Sequence, residues 1–198
     1  MSNCAEGVYN LPGSNGGDMS DSDLEKYCKL AVEKGTTHAK QIEPGSVVTA
    51  AWVRWKCQFG CPRYGQGYCC PPDTPTPEQT QKLIDCYHRA ILFHLESPPS
   101  ADRGKRFRHF QEMLVDLEGE MFKDGYYKAF LLSEGPCIIC KECAKVKSEP
   151  CNFGFKARPS MEASGIDVFQ TARNNGFFIV PLRETTDTQN VYCLMLVD

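Results

Sequence analysis

Apolar and polar positions divide the chain into alternating helical and extended segments. Between residues 21 and 34, Leu24, Tyr27, Cys28 and Ala31 recur at i, i+3, i+4 and i+7 on one helical face, and Gly35 supplies a stop. Residues 46–53 (SVVTAAWV) are a short, nearly unbroken apolar run, which predicts a buried strand. Thr76-Pro77-Glu78-Gln79 combines a cap, a proline at the first helical position and the glutamine of a capping box, so a helix is expected from there to about Arg89. AILFHL (90–95) predicts the next strand. Over residues 104–123, Phe107, Phe110, Leu114, Leu117 and Met121 share one stripe, predicting a long amphipathic helix that ends near Gly125. YYKAFLL (126–132) predicts a third strand, and Ser160 a cap for a helix running to about Asn174, with Gly176 past its end. FFIVPL (177–182) and VYCLMLV (191–197) predict two last strands paired as a hairpin.

This order predicts an α/β fold: a mixed sheet of about five strands with helices on its faces. Two cysteine-rich metal loops are expected at strand exits, where open α/β sheets carry their sites. Residues 1–19, rich in Gly, Ser and Asn, are expected to form a mobile N-terminal arm, and residues 20–198 a single cysteine-rich domain. The formal net charge of −3 gives no phosphate-neutralising face and argues against nucleic-acid binding. No apolar run approaches the roughly 18–20 residues of a membrane span, and the first twenty residues lack a secretory signal pattern, so a cytoplasmic location is expected.

Twelve cysteines among 198 residues change the picture. Cytosolic thiols stay reduced, so such a number points to metal ligation or redox chemistry rather than to disulfides. Eight of them fall in two short stretches. The second stretch is Cys137-x2-Cys140-x2-Cys143-x7-Cys151; three cysteines at two-residue intervals open like a bacterial ferredoxin loop, although the last spacing is longer and Pro150 precedes the fourth thiol. Zinc favours two separated knuckles, so the pattern favours a [4Fe-4S] cluster, with Zn2+ as runner-up. The first stretch is Cys57-x3-Cys61-x7-Cys69-Cys70. Adjacent cysteines point apart, so one of Cys69 and Cys70 is expected to join Cys57 and Cys61 around a second [4Fe-4S] cluster. That would leave one iron open, or fully ligated should the other thiol complete it. A crossover in which Cys151 serves the first site also fits the spacing.

Arg158, Ser160 and Glu162 follow the second group at a helix start and are candidates to surround a negatively charged cluster or anion. Arg103, Lys105, Arg106 and Arg108 crowd a helix N-terminus, where cations are unfavourable, and suit an acidic redox partner. Cys28, Cys86 and Cys193 read as core residues, and no histidine pair has metal-ligand spacing. No P-loop, dinucleotide fingerprint or radical S-adenosylmethionine pattern is present.

The segments RWKCQFGCPRYGQGYCCPP, YYKAFLLSEGPCIICKECA and ARPSMEASGIDVFQTARNNG resemble a prokaryotic family of predicted metal-binding proteins, DUF2284, from about residue 47 to the C-terminus. The resemblance implies metal ligation by Cys57, Cys61, Cys70, Cys137, Cys140, Cys143 and Cys151. It makes Cys70, directly before the two prolines, the recurring ligand and Cys69 an extra thiol or ligand. It implies no particular reaction.

Three functions fit these features. In the first, two [4Fe-4S] sites move electrons for a larger redox enzyme system, with a ferredoxin-like protein or an enzyme subunit as partner. In the second, an enzyme uses an open-coordination cluster at Cys57, Cys61 and Cys70 to activate a small substrate. In the third, zinc stabilises a binding module without a redox role.

Overall fold

The computed structural model describes residues 22–198, so the expected N-terminal arm lies outside the described residues. Five α-helices and four strands are formed there: α1 (Ser22–Glu33), β1 (His38–Ile42), α2 (Ala51–Gly60), α3 (Pro77–Ile84), β2 (Ala90–Ser97), α4 (Arg103–Lys123), β3 (Phe130–Leu132), α5 (Val168–Asn174) and β4 (Gln189–Leu196). Every strand pair is antiparallel and the order is β1-β2-β4-β3. The α/β class with helices on the sheet faces agrees with the sequence; the mixed sheet of five strands does not.

The reason β2 and β4 read so clearly is that both faces of each are covered. Ile91, Phe93 and Leu95 of β2 join Cys193 and Met195 of β4 beneath α1 and α4, which contribute Leu24, Tyr27, Leu114 and Leu117. On the opposite face, Ala90, Leu92, Leu194 and Leu196 pack with Ile84 of α3 and Ala172 of α5. A strand buried on both faces has no polar alternation, and β2 is buried at every position except Glu96. The register Ala90↔Leu196 to Ser97↔Gln189 runs the full length of both strands.

The departures have local causes. SVVTAAWV contributes only one isolated bridge, Thr49↔Ile166, before the chain turns into α2 at Ala51. Short apolar runs suit either a strand or a buried helical turn, and here the alanines and tryptophans take the helix. Consequently the first cysteine group begins inside a helix, whereas the second does follow a strand, β3, now only three residues long. FFIVPL forms no strand, because β4 is already paired on both sides by β2 and β3. The edge strand β1 (HAKQI) carried no apolar signal. The Thr76 capping box is formed as expected, but α3 ends at Ile84. Ser160 caps only a 3-10 turn, its Oγ accepting from the Ala163 N–H at 3.0 Å, while Asp167 caps α5.

Gly165 closes that turn with φ +81°, and a Cβ placed on it would lie 2.5 Å from Pro77 Cγ. Left-handed strain and overpacking act together here, so Gly165→Ala is expected to cost about 2–5 kcal/mol in denaturant unfolding.

Candidate metal centre

The cysteines sit on two long excursions from the sheet, one between β1 and β2, the other between β3 and β4. α2 carries Cys57 in its last turn and ends on Cys61, whose N–H donates to the Cys57 carbonyl at 3.2 Å. One helical turn therefore sets both thiols on the same face. The chain then tightens: the Gly65 N–H donates to the Pro71 carbonyl at 2.7 Å, and the Cys70 N–H to Gly67 at 3.0 Å. Gly65 takes φ +73° to make this loop. In the second excursion, Cys143 precedes a 3-10 turn (Ala144–Lys147) that ends on Ser148, whose left-handed backbone reverses the chain toward Cys151.

The two excursions are tied directly to each other. Lys145 pairs with Asp73, and the Tyr68 hydroxyl donates to the Glu149 carbonyl at 2.8 Å. Arg108 Nη1 of α4 donates to the Ile138 carbonyl at 2.6 Å, holding the second loop against the sheet-bound helix. The result is a cavity of about 40 Å³ whose lining includes Cys69, Cys70, Cys137, Cys140, Cys143 and Cys151.

Cys69 has the most specific place among these thiols. It is buried, and it hydrogen-bonds Cys137. That bond, then burial, pushes the Cys69 thiol far up. The same bond pulls Cys137 down, helped by the Ile139 N–H and the Arg108 guanidinium and opposed by burial. Cys137 is thus the thiol prepared to be a thiolate, and Cys69, an additional thiol on the sequence pattern alone, is its donor. Burial, then the Cys61 and Cys57 sulfurs, push Cys70 up; burial, then Cys61 and Glu162, do the same to Cys57. Loss of solvent and the sulfurs of Cys137, Cys151 and Cys143 raise Cys140. The thiols thus form two neighbouring sets, Cys57, Cys61 and Cys70, and the second group with Cys69. They adjoin at Gly67: a Cβ there would lie 3.8 Å from the sulfurs of both Cys70 and Cys143.

The donor set fits a thiolate-bound metal. Six sulfurs line the cavity with no carboxylate or imidazole among its lining residues, the composition that selects Fe–S, zinc or copper(I) over magnesium, calcium or manganese. Among the described residues, no group of three or more His, Cys, Asp or Glu side chains is gathered tightly enough to hold a metal ion as it stands.

Cys57 and the exposed Cys61 face elsewhere, lining a broad groove with Trp52, Trp55 and Phe59 of α2. Glu134 and Glu162 line the same groove. Glu134 went unnoticed in the sequence, where nothing but its place two residues before Pro136 sets it apart. Burial, then the Glu162 carboxyl, push Glu134 up to about 7, although Gln111 donates to it. Because its folded pKa lies above its ordinary value, the stability Glu134 contributes is complete below about pH 4.5 and is lost as pH rises through about 7. Glu134→Gln cannot ionise, so its stability relative to the parent chain should be about 1–3 kcal/mol greater at pH 8 than at pH 4 in urea unfolding.

Arg158 engages Glu118 at 2.7 Å through both Nε and Nη2, and Glu118 also accepts from the Leu131 N–H at 3.1 Å. Arg158 also lines a small cavity that Cys137 shares. Ser160 and the Gly135 N–H donate to the Glu162 carboxylate. Cys28 is half-buried against the α1–α4 core, burial pushing its thiol to about 11, and Cys193 is fully buried in β4. None of the helices among the described residues is long and apolar enough to cross a membrane.

A family model described as "Predicted metal-binding protein (DUF2284)" matches residues 40–197, which include both cysteine groups. No curated protein and no solved structure matches the chain.

Proposed function

The chain belongs to this family of predicted metal-binding proteins, and from that premise we propose that it is an iron–sulfur protein with two [4Fe-4S] sites that transfers electrons for a larger redox enzyme system. The observation that carries this reading is the convergence of six cysteine sulfurs from two excursions on one cavity whose lining residues include no carboxylate or imidazole. Cys137, Cys140, Cys143 and Cys151 would hold one cluster, and Cys57, Cys61 and Cys70 the other. When bound, such a cluster supplies a one-electron couple. The chain's own part is to hold thiolates and tune them: Cys69 and the Ile139 N–H donate to the Cys137 sulfur, and Arg108 supplies positive charge beside it. Hydrogen bonds and positive charge at sulfur raise a cluster's potential.

The partner we propose is an acidic redox protein. Arg103, Arg106 and Arg108 at the start of α4 donate to main-chain carbonyls and so keep their charge, and Arg108 is exposed beside the second cysteine loop. Reduction with dithionite followed by reoxidation tests the redox assignment. A broad absorption near 400 nm that bleaches and returns is expected; a spectrum indifferent to dithionite would contradict it.

One observation favours a second reading, an enzyme whose first cluster has an open iron. Cys57 and Cys61 line the broad groove, so a cluster they held would meet solvent-borne molecules. In that case azide or a small thiol would shift the absorption of the first site while leaving the second unchanged.

A further inference from the structure

The groove that Cys57 and Cys61 line has a volume of about 1520 Å³, above the roughly 300–1,000 Å³ usual for small-molecule sites. α2 lays three aromatic side chains along it that the described residues leave largely exposed: Trp52 is 47% exposed, Trp55 66% and Phe59 71%. Trp55 and Phe59, one helical turn apart, lie with ring centroids 5.5 Å from each other and make a continuous apolar wall. A surface of this kind on a chain of ordinary polarity marks a place where something apolar is bound.

Glu134 and Glu162 interrupt that apolar lining. Among the described residues, neither is paired with a Lys, Arg or His. Glu162 Oε2 is buried without any hydrogen-bond donor, although the Gly135 N–H and Ser160 serve the rest of the carboxylate. Glu134 has only Gln111. The basic residues on the same groove are occupied: Lys56 lies over the Trp52 ring, and Arg173 lies over Phe169 and donates to the Ile179 carbonyl. Two neighbouring carboxyls without an ion-pair partner leave a buried acceptor lacking its donor, an arrangement that costs free energy until a positive group arrives.

We propose that the groove binds an organic cation with an apolar or aromatic body, a primary or secondary amine whose N–H groups donate to Glu162 and Glu134 while its body lies along Trp52, Trp55 and Phe59. An anion would be repelled by the same pair, and a neutral apolar molecule would leave Glu162 Oε2 unsatisfied. Burial first, and then the neighbouring Glu162 carboxyl, raise the titration of Glu134. This assignment does not depend on which metal the thiols hold.

The test uses the anaerobically purified, metal-loaded protein at about pH 8, where Glu134 is ionised and a simple amine still carries its proton. 4-Phenylbutylamine and its neutral counterpart 4-phenylbutanol are titrated by calorimetry and by tryptophan emission. Both tryptophans of the chain line the groove, so emission reports occupancy there. The amine is expected to bind about 10-fold or more tighter than the alcohol and to shift the emission. Glu162→Gln and Glu134→Gln, prepared separately, should each shrink that preference. Equal affinity for amine and alcohol, binding without a change in emission, or a preference untouched by either substitution would overturn the assignment.

Discussion

With the two proposed clusters in place, Cys137→Ser is expected to lose about half of the iron, roughly four of eight atoms per chain, with a matching loss of acid-labile sulfide. Cys137 combines three features: the Cys69 thiol donates to it, the Ile139 N–H donates to it, and the Arg108 guanidinium stands near. All three favour the thiolate, the form that ligates metal. A serine oxygen is a hard and much less acidic donor, and it leaves Cys69 with its proton and no thiolate to receive it. Cys28→Ser supplies the comparison, since burial against α1 and α4 keeps that thiol protonated; its iron content should equal that of the parent chain. Equal iron in both variants would remove Cys137 from the centre.

Glu118→Ala is expected to destabilise the fold by about 3–5 kcal/mol, or roughly 6–20 °C in Tm for a chain of this size. The Glu118 side chain is 6% exposed and that of Arg158 19%, so deleting one leaves the other charged and poorly solvated. Glu118 also accepts from the Leu131 N–H at the centre of β3, so the substitution strips a donor in the sheet of its partner. Arg158→Met should cost a similar amount. The double variant should cost less than the two added together, because the stranded charge is then gone. Denaturant unfolding measures all three, and metal per folded chain separates this structural role from service to the neighbouring thiols. A loss below about 1 kcal/mol would mean that water reaches the pair freely.

How much of this was legible depends on which faces each element buries. α4 was readable from Phe107 to Met121 because one stripe meets the sheet and the rest meets solvent. β2 and β4 were readable because they are apolar throughout. β1 was not, since an edge strand of sequence HAKQI buries only Ile42. The strand expected over residues 46–53 runs into the start of α2, whose aromatic residues face the groove instead of the core and so leave no helical period to read. The strand expected at FFIVPL failed for a tertiary reason: β4 had no free edge to offer.

At the centre, cysteine spacing gave the two groups but not their meeting. The Cys69–Cys137 hydrogen bond joins residues 68 positions apart in the chain, and no local pattern encodes it. Gly67 stands in the same position, open toward the sulfurs of Cys70 and Cys143 only after both excursions have folded. Glu134 and Glu162 likewise share a groove because the Ser133↔Ser160 bridge brings their segments side by side.

The most direct test of the central claim is the content of iron, acid-labile sulfide and zinc per chain in protein purified without oxygen. Two [4Fe-4S] clusters require about eight irons and eight sulfides with negligible zinc. One or two zinc ions without sulfide would contradict the claim and make the thiols a structural metal site.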